Sequence, residues 1–139
     1  IIQKALWNKE GDTIFSSEGA DAGRLVDKSE ITDPITVEMT SLRGYLGRPI
    51  DFLKIDIEGA ETVVIEDCAD LLINVKNLFV EYHSLNNKEQ TLDILLGILK
   101  KAGFRYYIYN FGVLSHHPFE EKKTYLGMDA QLNIYACRF

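Results

Sequence analysis

The stretch DFLKIDIEGAE joins an apolar, strand-like run to carboxylates that could take part in chemistry. Asp56 and Glu58 stand near its end, two residues apart and just before Gly59. Side chains alternate across a strand, so both acids are predicted on one face, about 6.6 Å apart at ~3.3 Å of rise per residue. Crowded carboxylates retain a proton, bind a cation or attract a cationic ligand.

A second apolar stretch, NLFVEYH, repeats this arrangement with Glu81 and His83 at its end. If the two stretches are parallel neighbours, their carboxyl ends lie about 4.8 Å apart. Ligands of open α/β sheets bind beyond the carboxyl ends of the strands, and a histidine there can change charge near neutral pH. The sequence therefore predicts a reaction site composed of Asp56, Glu58, Glu81 and His83.

Structural interpretations of the same side chains remain open. Lys54, two residues before Asp56, could form a structural ion pair with it. Glu58 and Glu61 could simply favour the positive end of the helix that follows. In the second stretch, Glu81 could form a hydrogen bond with a neighbouring turn, and His83 could simply end the strand.

Residues 50–139 alternate between strand and helix patterns, which predicts a mainly parallel sheet with right-handed crossovers. The last two strands have no helix pattern between them and are expected to pair antiparallel at one edge, giving the order βαβαββ. The predicted strands cover 50–57, 77–83, 104–111 and 131–138, and the predicted helices cover 60–74 and 86–103.

Residues 1–49 are predicted to form β structure with turns. The runs IIQKALW and TIFSS flank a turn that contains Gly11 and Asp12, which suggests a β-hairpin. The polar segment 18–30 is expected to be a loop, and the residues after Pro34 a third strand.

The bulk composition excludes several classes of function. With 139 residues, the chain is about one domain, and its net charge of −6 without a Lys/Arg cluster argues against a nucleic-acid partner. No apolar run approaches the ~20 residues of a membrane span. Two cysteines are too few for a disulfide framework, and reduced thiols favour a cytoplasmic location.

The stretch IDFLKIDIEGAETVVIED, followed by VKNLFVEYH, resembles the FkbM family of S-adenosylmethionine-dependent methyltransferases. KALWNKEGDTIFSS and ITVEMTSLRGYLG resemble that family in the same order. The resemblance implies an α/β fold with a Rossmann-like methyltransferase sheet, mainly parallel with an antiparallel last strand. It also implies O-methyl transfer to a hydroxyl of a saccharide or natural product, the acceptor being a small molecule or saccharide.

The family's site roles carry over to matching positions. Asp56 and Glu58 stand where the family's acids approach the methyl donor and acceptor, to orient the acceptor hydroxyl or accept its proton. His83 is then a candidate general base, or a group that holds the acceptor. A divalent ion at Asp56 is conceivable by analogy with metal-assisted O-methyltransferases, but one carboxylate does not establish it, so no metal ligand is assigned.

The chain departs from the family in lacking a glycine-rich cofactor loop of the G-x-G type. The chain is therefore expected to be a single domain that forms the C-terminal portion of an incomplete methyltransferase sheet. The cofactor-binding residues are unknown, and the loop is expected upstream of Ile1. Alone, this part is expected to be inactive, and an exposed sheet edge could pair it with a second copy.

Two other functions compete with this interpretation. The run FLKID also resembles a strand of EAL-type cyclic dinucleotide phosphodiesterases, but their barrel needs about 250 residues. A non-catalytic, truncated methyltransferase-like module for binding or assembly would keep the sheet and lose the cofactor loop, as this sequence does. A glycine-rich turn encoded upstream would distinguish the enzyme from the module.

Overall fold

A computed structural model describes residues 1–17, 23–25, 34–110, 116–117, 119–120 and 124–139. These residues form a mixed α/β structure with two four-stranded sheets. The elements are β1 (Ala5–Trp7), β2 (Gly11–Ser17), β3 (Gly23–Leu25), β4 (Pro34–Ser41), β5 (Ile50–Ile55), α1 (Glu61–Asp67), β6 (Val75–Leu85), α2 (Leu92–Lys101), β7 (Arg105–Asn110) and β8 (Met128–Cys137). Short 3₁₀ turns occupy Leu42–Tyr45 and Ala69–Asn74. Neither described helix has the length and hydropathy of a membrane-crossing segment.

The first sheet has the order β1-β4-β2-β3, and it corrects the predicted hairpin. β4 lies between β1 and β2: Met39 is paired with Ala5 on one side and with Gly11 on the other. The connection therefore crosses the end of β4, where Glu10 accepts hydrogen bonds from the Thr40 hydroxyl and the Ser41 amide. The hairpin prediction was wrong because turn residues alone do not reveal a strand inserted from later in the chain.

The predicted loop over residues 18–30 contains the short strand β3, which pairs antiparallel with β2. The rest of that loop lies outside the described residues. Pro34 opens β4, as predicted, since a strand's first position needs no amide hydrogen.

The second sheet has the order β5-β6-β8-β7 and contains the predicted elements in their predicted sequence. β5 and β6 are parallel, and β8 is antiparallel to both β6 and β7. β5, β6 and β7 therefore run in one direction, and β8 is inserted between β6 and β7. The expected antiparallel pairing of the last two strands is confirmed.

The hydrophobic core lies on one face of the second sheet. Leu78 and Val80 of β6 meet Val64 of α1 and Leu95 and Leu99 of α2, and all five are at most 2% exposed. Leu42, Leu46 and Leu6 join the same core from the first half of the chain. The shared core fixes the carboxyl ends of β5 and β6 relative to the start of α1.

The opposite face of this sheet carries exposed aromatic rings. Phe52, Tyr107 and Tyr135 are 62%, 64% and 48% exposed, and Phe79 meets Tyr135 edge-on with centroids 5.0 Å apart. Side-chain alternation therefore separates an apolar core face from a face that also carries the charged groups at the strand ends.

Candidate functional site

A tight turn follows β5 and presents the acidic side chains. The first strand of this half was predicted to cover residues 50–57, but β5 ends at Ile55. Asp56 therefore lies just beyond the strand instead of inside it. Glu58 and Gly59 then adopt positive φ angles of 53° and 95°. A Cβ at Gly59 would lie 3.0 Å from Leu85 Cδ1, so both conformation and space favour glycine here. The positive φ at Glu58 is uncommon for a residue with a side chain, and the surrounding turn maintains it.

Glu61, the first residue of α1, is buried and holds this turn together. Its Oε1 accepts hydrogen bonds from the amides of Gly59 (2.9 Å) and Ile57 (3.4 Å). The same oxygen lies 2.9 Å from Nδ1 of His83, and Glu61 is only 1% exposed. One carboxylate therefore connects the turn after β5 to the end of β6.

His83 lies at the centre of the acidic groups. Its side chain is 2% exposed, and Nε2 lies 3.8 Å from Glu58 Oε2 and 3.7 Å from Glu81 Oε1. These two distances are too long for hydrogen bonds. The imidazole is thus bonded through Nδ1 and faces carboxylates through Nε2.

Asp56 and Glu81 complete the group beside this imidazole. Asp56, Glu81 and His83 each offer one atom that could bind a metal ion, and these atoms lie within 4.8 Å of one another. However, Lys54 Nζ donates to Asp56 at 3.0 Å, and the Gln131 side chain donates to Glu81. These hydrogen bonds orient the two carboxylates and leave each of them further lone pairs, and the geometry alone assigns no metal to the group.

The structure brings all four predicted residues together, and the Lys54–Asp56 ion pair foreseen as a structural alternative is also present. The structure also places Glu61 in this group, although the sequence indicated Glu61 only as a charge near the positive end of the helix. The signal for Glu61 was helical spacing: Val64, Ile65 and Cys68 follow it by three, four and seven residues and are all fully buried. That periodicity places Glu61 on the buried face of α1.

The acidic surroundings change the basicity of His83. Burial lowers the pKa of His83, but the hydrogen bond to Glu61 and the charges of Glu61, Glu58 and Glu81 together raise the pKa above its ordinary value of 6.5. The folded protein therefore binds the imidazole proton more tightly than the unfolded chain does.

This shift makes stability depend on pH. The stabilisation from protonated His83 is expected to be fully present below about pH 6.5 and to be lost as pH rises through the higher, folded pKa. Urea unfolding at a series of pH values from 5.5 to 9 measures it. A Glu61→Gln variant should weaken the dependence, whereas His116→Gln at an exposed histidine should keep it. A free energy of unfolding that rises with pH across this interval would contradict the assignment.

A cavity opens next to the Glu61–His83 pair. It is bounded by the start of α1, the end of β6, the segment before α2, and Trp7 at the end of β1. Thr62 and Thr91 close one side through a hydroxyl contact of 2.7 Å, and the Tyr82 hydroxyl accepts from the Thr91 amide. Glu61 and His83 both belong to the lining of this cavity, although their side chains are almost fully buried.

Comparison with known proteins gives one match. The family model described as the methyltransferase FkbM domain matches residues 2–106, more than half of the chain. No curated protein and no solved structure matches the chain. The matched range includes β1 to α2 and therefore Asp56, Glu58, Glu61, Glu81 and His83. The chain thus belongs to the FkbM methyltransferase family.

Proposed function

We propose that the protein is an S-adenosylmethionine-dependent O-methyltransferase that acts on a hydroxyl of a saccharide or natural product. Asp56, Glu58, Glu81 and His83 form the acceptor side of its site. The observation that carries the proposal is their convergence at the carboxyl ends of two adjacent parallel strands, β5 and β6. In open α/β sheets, this is where ligands bind.

The side chains have the chemistry that hydroxyl methylation needs. A neutral hydroxyl is a weak nucleophile, and removal of its proton by a positioned base contributes about 10²–10⁴-fold. Asp56 and Glu58 orient the acceptor hydroxyl, and a base in the group accepts its proton. When bound, S-adenosylmethionine supplies an activated methyl group on a positively charged sulfur. The surrounding carboxylates favour that charge electrostatically.

The fold is proposed to be the C-terminal part of a Rossmann-like methyltransferase sheet. Support comes from the second sheet, in which three strands share one direction and β8 opposes them. Among the described strands, β5 has a partner on one side only. Its free edge can pair with a further strand of the same protein, which would also contribute the cofactor loop, or with a second copy.

A non-catalytic binding or assembly module is the second candidate. It is favoured by the partners that the acids already have, Lys54 for Asp56 and Gln131 for Glu81. These hydrogen bonds would explain the presence of the acids if the group only stabilised the fold. The two candidates differ in whether methyl transfer occurs.

A methyl-transfer assay tests the proposal. The full-length protein is incubated with S-adenosylmethionine carrying a labelled methyl group and a panel of glycosides and other polyhydroxylated acceptors. Label is expected in an acceptor, with S-adenosylhomocysteine formed in equal amount. If calorimetry shows that the protein binds a compound of the panel but no label is transferred to any acceptor, the non-catalytic binding module is favoured.

Titration of the 139-residue chain tests the half-site interpretation. Binding of S-adenosylmethionine to this chain alone is expected to be no tighter than about 1 mM, or about −4 kcal/mol, because the adenosine and ribose contacts are assigned elsewhere. Micromolar affinity would show that these residues hold the cofactor themselves.

A further inference from the structure

Glu61 and His83 form a buried pair whose role goes beyond holding the turn. Their side chains are 1% and 2% exposed, and Glu61 Oε1 lies 2.9 Å from His83 Nδ1. Two backbone amides, of Gly59 and Ile57, donate to the same oxygen. Such donors stabilise an ionised carboxylate, which makes Glu61 a fixed hydrogen-bond acceptor beside the ring.

We propose that Glu61 is a positioning residue that makes His83 the general base of the methyl transfer. In this arrangement, Nδ1–H donates to Glu61, and the unprotonated Nε2 takes the proton of the acceptor hydroxyl. The inference rests on the proposed methyltransferase function and specifies which group in the site is the base. Glu61 itself touches neither substrate nor cofactor.

The two ring nitrogens have different surroundings, and this difference decides their roles. Nδ1 has a hydrogen-bonding partner, and an imidazole nitrogen that faces an ionised carboxylate at 2.9 Å carries a proton. In the neutral ring the other nitrogen, Nε2, then has a lone pair. Its nearest carboxylates, on Glu58 and Glu81, are 3.8 Å and 3.7 Å away, so Nε2 makes no hydrogen bond to either of them.

The surrounding charges favour proton uptake at this position. Three carboxylates face the ring: Glu58 from the turn after β5, Glu61 from α1 and Glu81 from β6. The nearby donors, Lys54 and Gln131, bond Asp56 and Glu81 rather than the ring. An imidazolium formed during the reaction is therefore stabilised, as in other carboxylate–histidine pairs.

The proton and electron balance of the step is simple. The acceptor oxygen bonds the methyl carbon as the carbon–sulfur bond breaks, and sulfur keeps the bonding electron pair. The hydroxyl proton passes to Nε2, which leaves a neutral ether and an imidazolium. Release of that proton to water restores the base.

A structural role and a positioning role predict different behaviour for Glu61→Gln. Glutamine has the same shape, and its carbonyl oxygen can take the place of Oε1, accepting from the backbone amides and from Nδ1–H. It lacks the negative charge that favours a proton on the ring. A purely structural contact therefore survives the substitution, whereas the effect of the charge on the basicity of His83 does not.

The first test reads the tautomer directly and needs no enzymatic turnover. Long-range ¹H–¹⁵N correlation spectra of the ring nitrogens are recorded through a pH titration of the protein. The His83 resonances are assigned by comparison with variants of His116 and His117. Above its pKa, neutral His83 is expected to carry its proton on Nδ1, and Glu61→Gln should lower the pKa of His83. A proton on Nε2 in the native protein, or an unchanged pKa in the variant, would overturn the inference.

The second test uses kinetics. Glu61→Gln is expected to lower kcat by about 10²-fold, with little change in KM, and to move the acidic limb of the pH profile of kcat/KM to lower pH. Asp93→Asn is the matched control, because Asp93 is an exposed acid in the first turn of α2. An unchanged kcat and pH profile in Glu61→Gln would reduce Glu61 to a structural contact.

The proposed function and the role of Glu61 can be contradicted separately. If the native protein transfers no methyl group, the proposed function fails, and the tautomer measurement still decides how Glu61 acts on His83. If methyl transfer occurs but the tautomer is reversed, the proposed function stands and another group must be the base.

Discussion

Replacing Asp56 with alanine is expected to reduce methyl transfer by at least about 10²-fold and to lower the melting temperature by less than about 4 °C. The loss of activity follows from the position of Asp56 within 4.8 Å of Glu81 and His83, where an acceptor hydroxyl must be oriented. The small effect on stability follows from exposure. The pair with Lys54 spans 3.0 Å, but the two side chains are 31% and 55% exposed. Such exposed pairs contribute about 0–1 kcal/mol.

Asp51→Ala provides the matched control for this experiment. Asp51 is an exposed acid on the same strand but lies near the amino end of β5, away from the site. Its backbone carbonyl, which accepts from Asn77, is retained in the variant. Methyl transfer and thermal denaturation should both be unchanged. If Asp56→Ala unfolds the protein or leaves activity intact, Asp56 serves the fold as an ion-pair partner instead.

Leu95→Ala is expected to have the largest effect on stability. Leu95 lies on α2, is fully buried, and packs in the core formed by α1, α2 and the second sheet. Removing its side chain costs about 2–5 kcal/mol in lost burial and cavity formation. That cost is a large part of the about 5–15 kcal/mol that stabilises a typical domain. Urea denaturation followed by circular dichroism measures the change.

Ile94→Ala is the comparison that isolates burial in this helix. Ile94 is adjacent to Leu95 but 40% exposed. The two substitutions remove isomeric side chains from the same helix, so helix propensity contributes similarly to both. A much smaller destabilisation is expected for Ile94→Ala. Equal losses in the two variants would mean that the described core face of α2 is assigned incorrectly.

The second half of the fold could be predicted from the sequence because its signals are local. In β6, Leu78, Val80 and Tyr82 were predicted on one face and are at most 3% exposed, whereas Phe79 and Glu81 between them are only partly buried. In α2, helical spacing indicates the buried leucines, and Gly103 with φ of 83° follows the helix. The crossover rule for parallel strands then places the ends of β5 and β6 side by side.

The pairing in the first half could not be predicted in the same way. β1 is only three residues long, and its partner β4 is parallel and some thirty residues away. No turn motif encodes a contact of that sequence separation, so the glycine and aspartate after β1 suggested a hairpin instead. The hydrogen bond that the Thr40 hydroxyl donates to Glu10 stabilises the actual arrangement, and it forms only once β4 is in place.

The sequence predicted that Asp56, Glu58, Glu81 and His83 lie close together but not how they are arranged. The alternation of β6 placed Glu81 and His83 on one face, and parallel pairing brought them to the acids after β5. The positive φ of Glu58 and the hydrogen bond between His83 and Glu61 depend on a turn whose path cannot be derived from the sequence. Glu61 illustrates the difference, because a carboxylate on a buried helix stripe needs a partner that only the folded chain identifies.

The wall of the cavity next to Glu61 contains an intrinsic fluorophore. Trp7 contributes to that wall and is the only tryptophan in the chain, so all indole emission originates at this one position. Because indole fluorescence responds to polarity and to nearby carboxylates, an occupant of the cavity changes the emission without any attached dye. A ligand that enters this cavity can therefore be detected by fluorescence before a turnover assay exists for it.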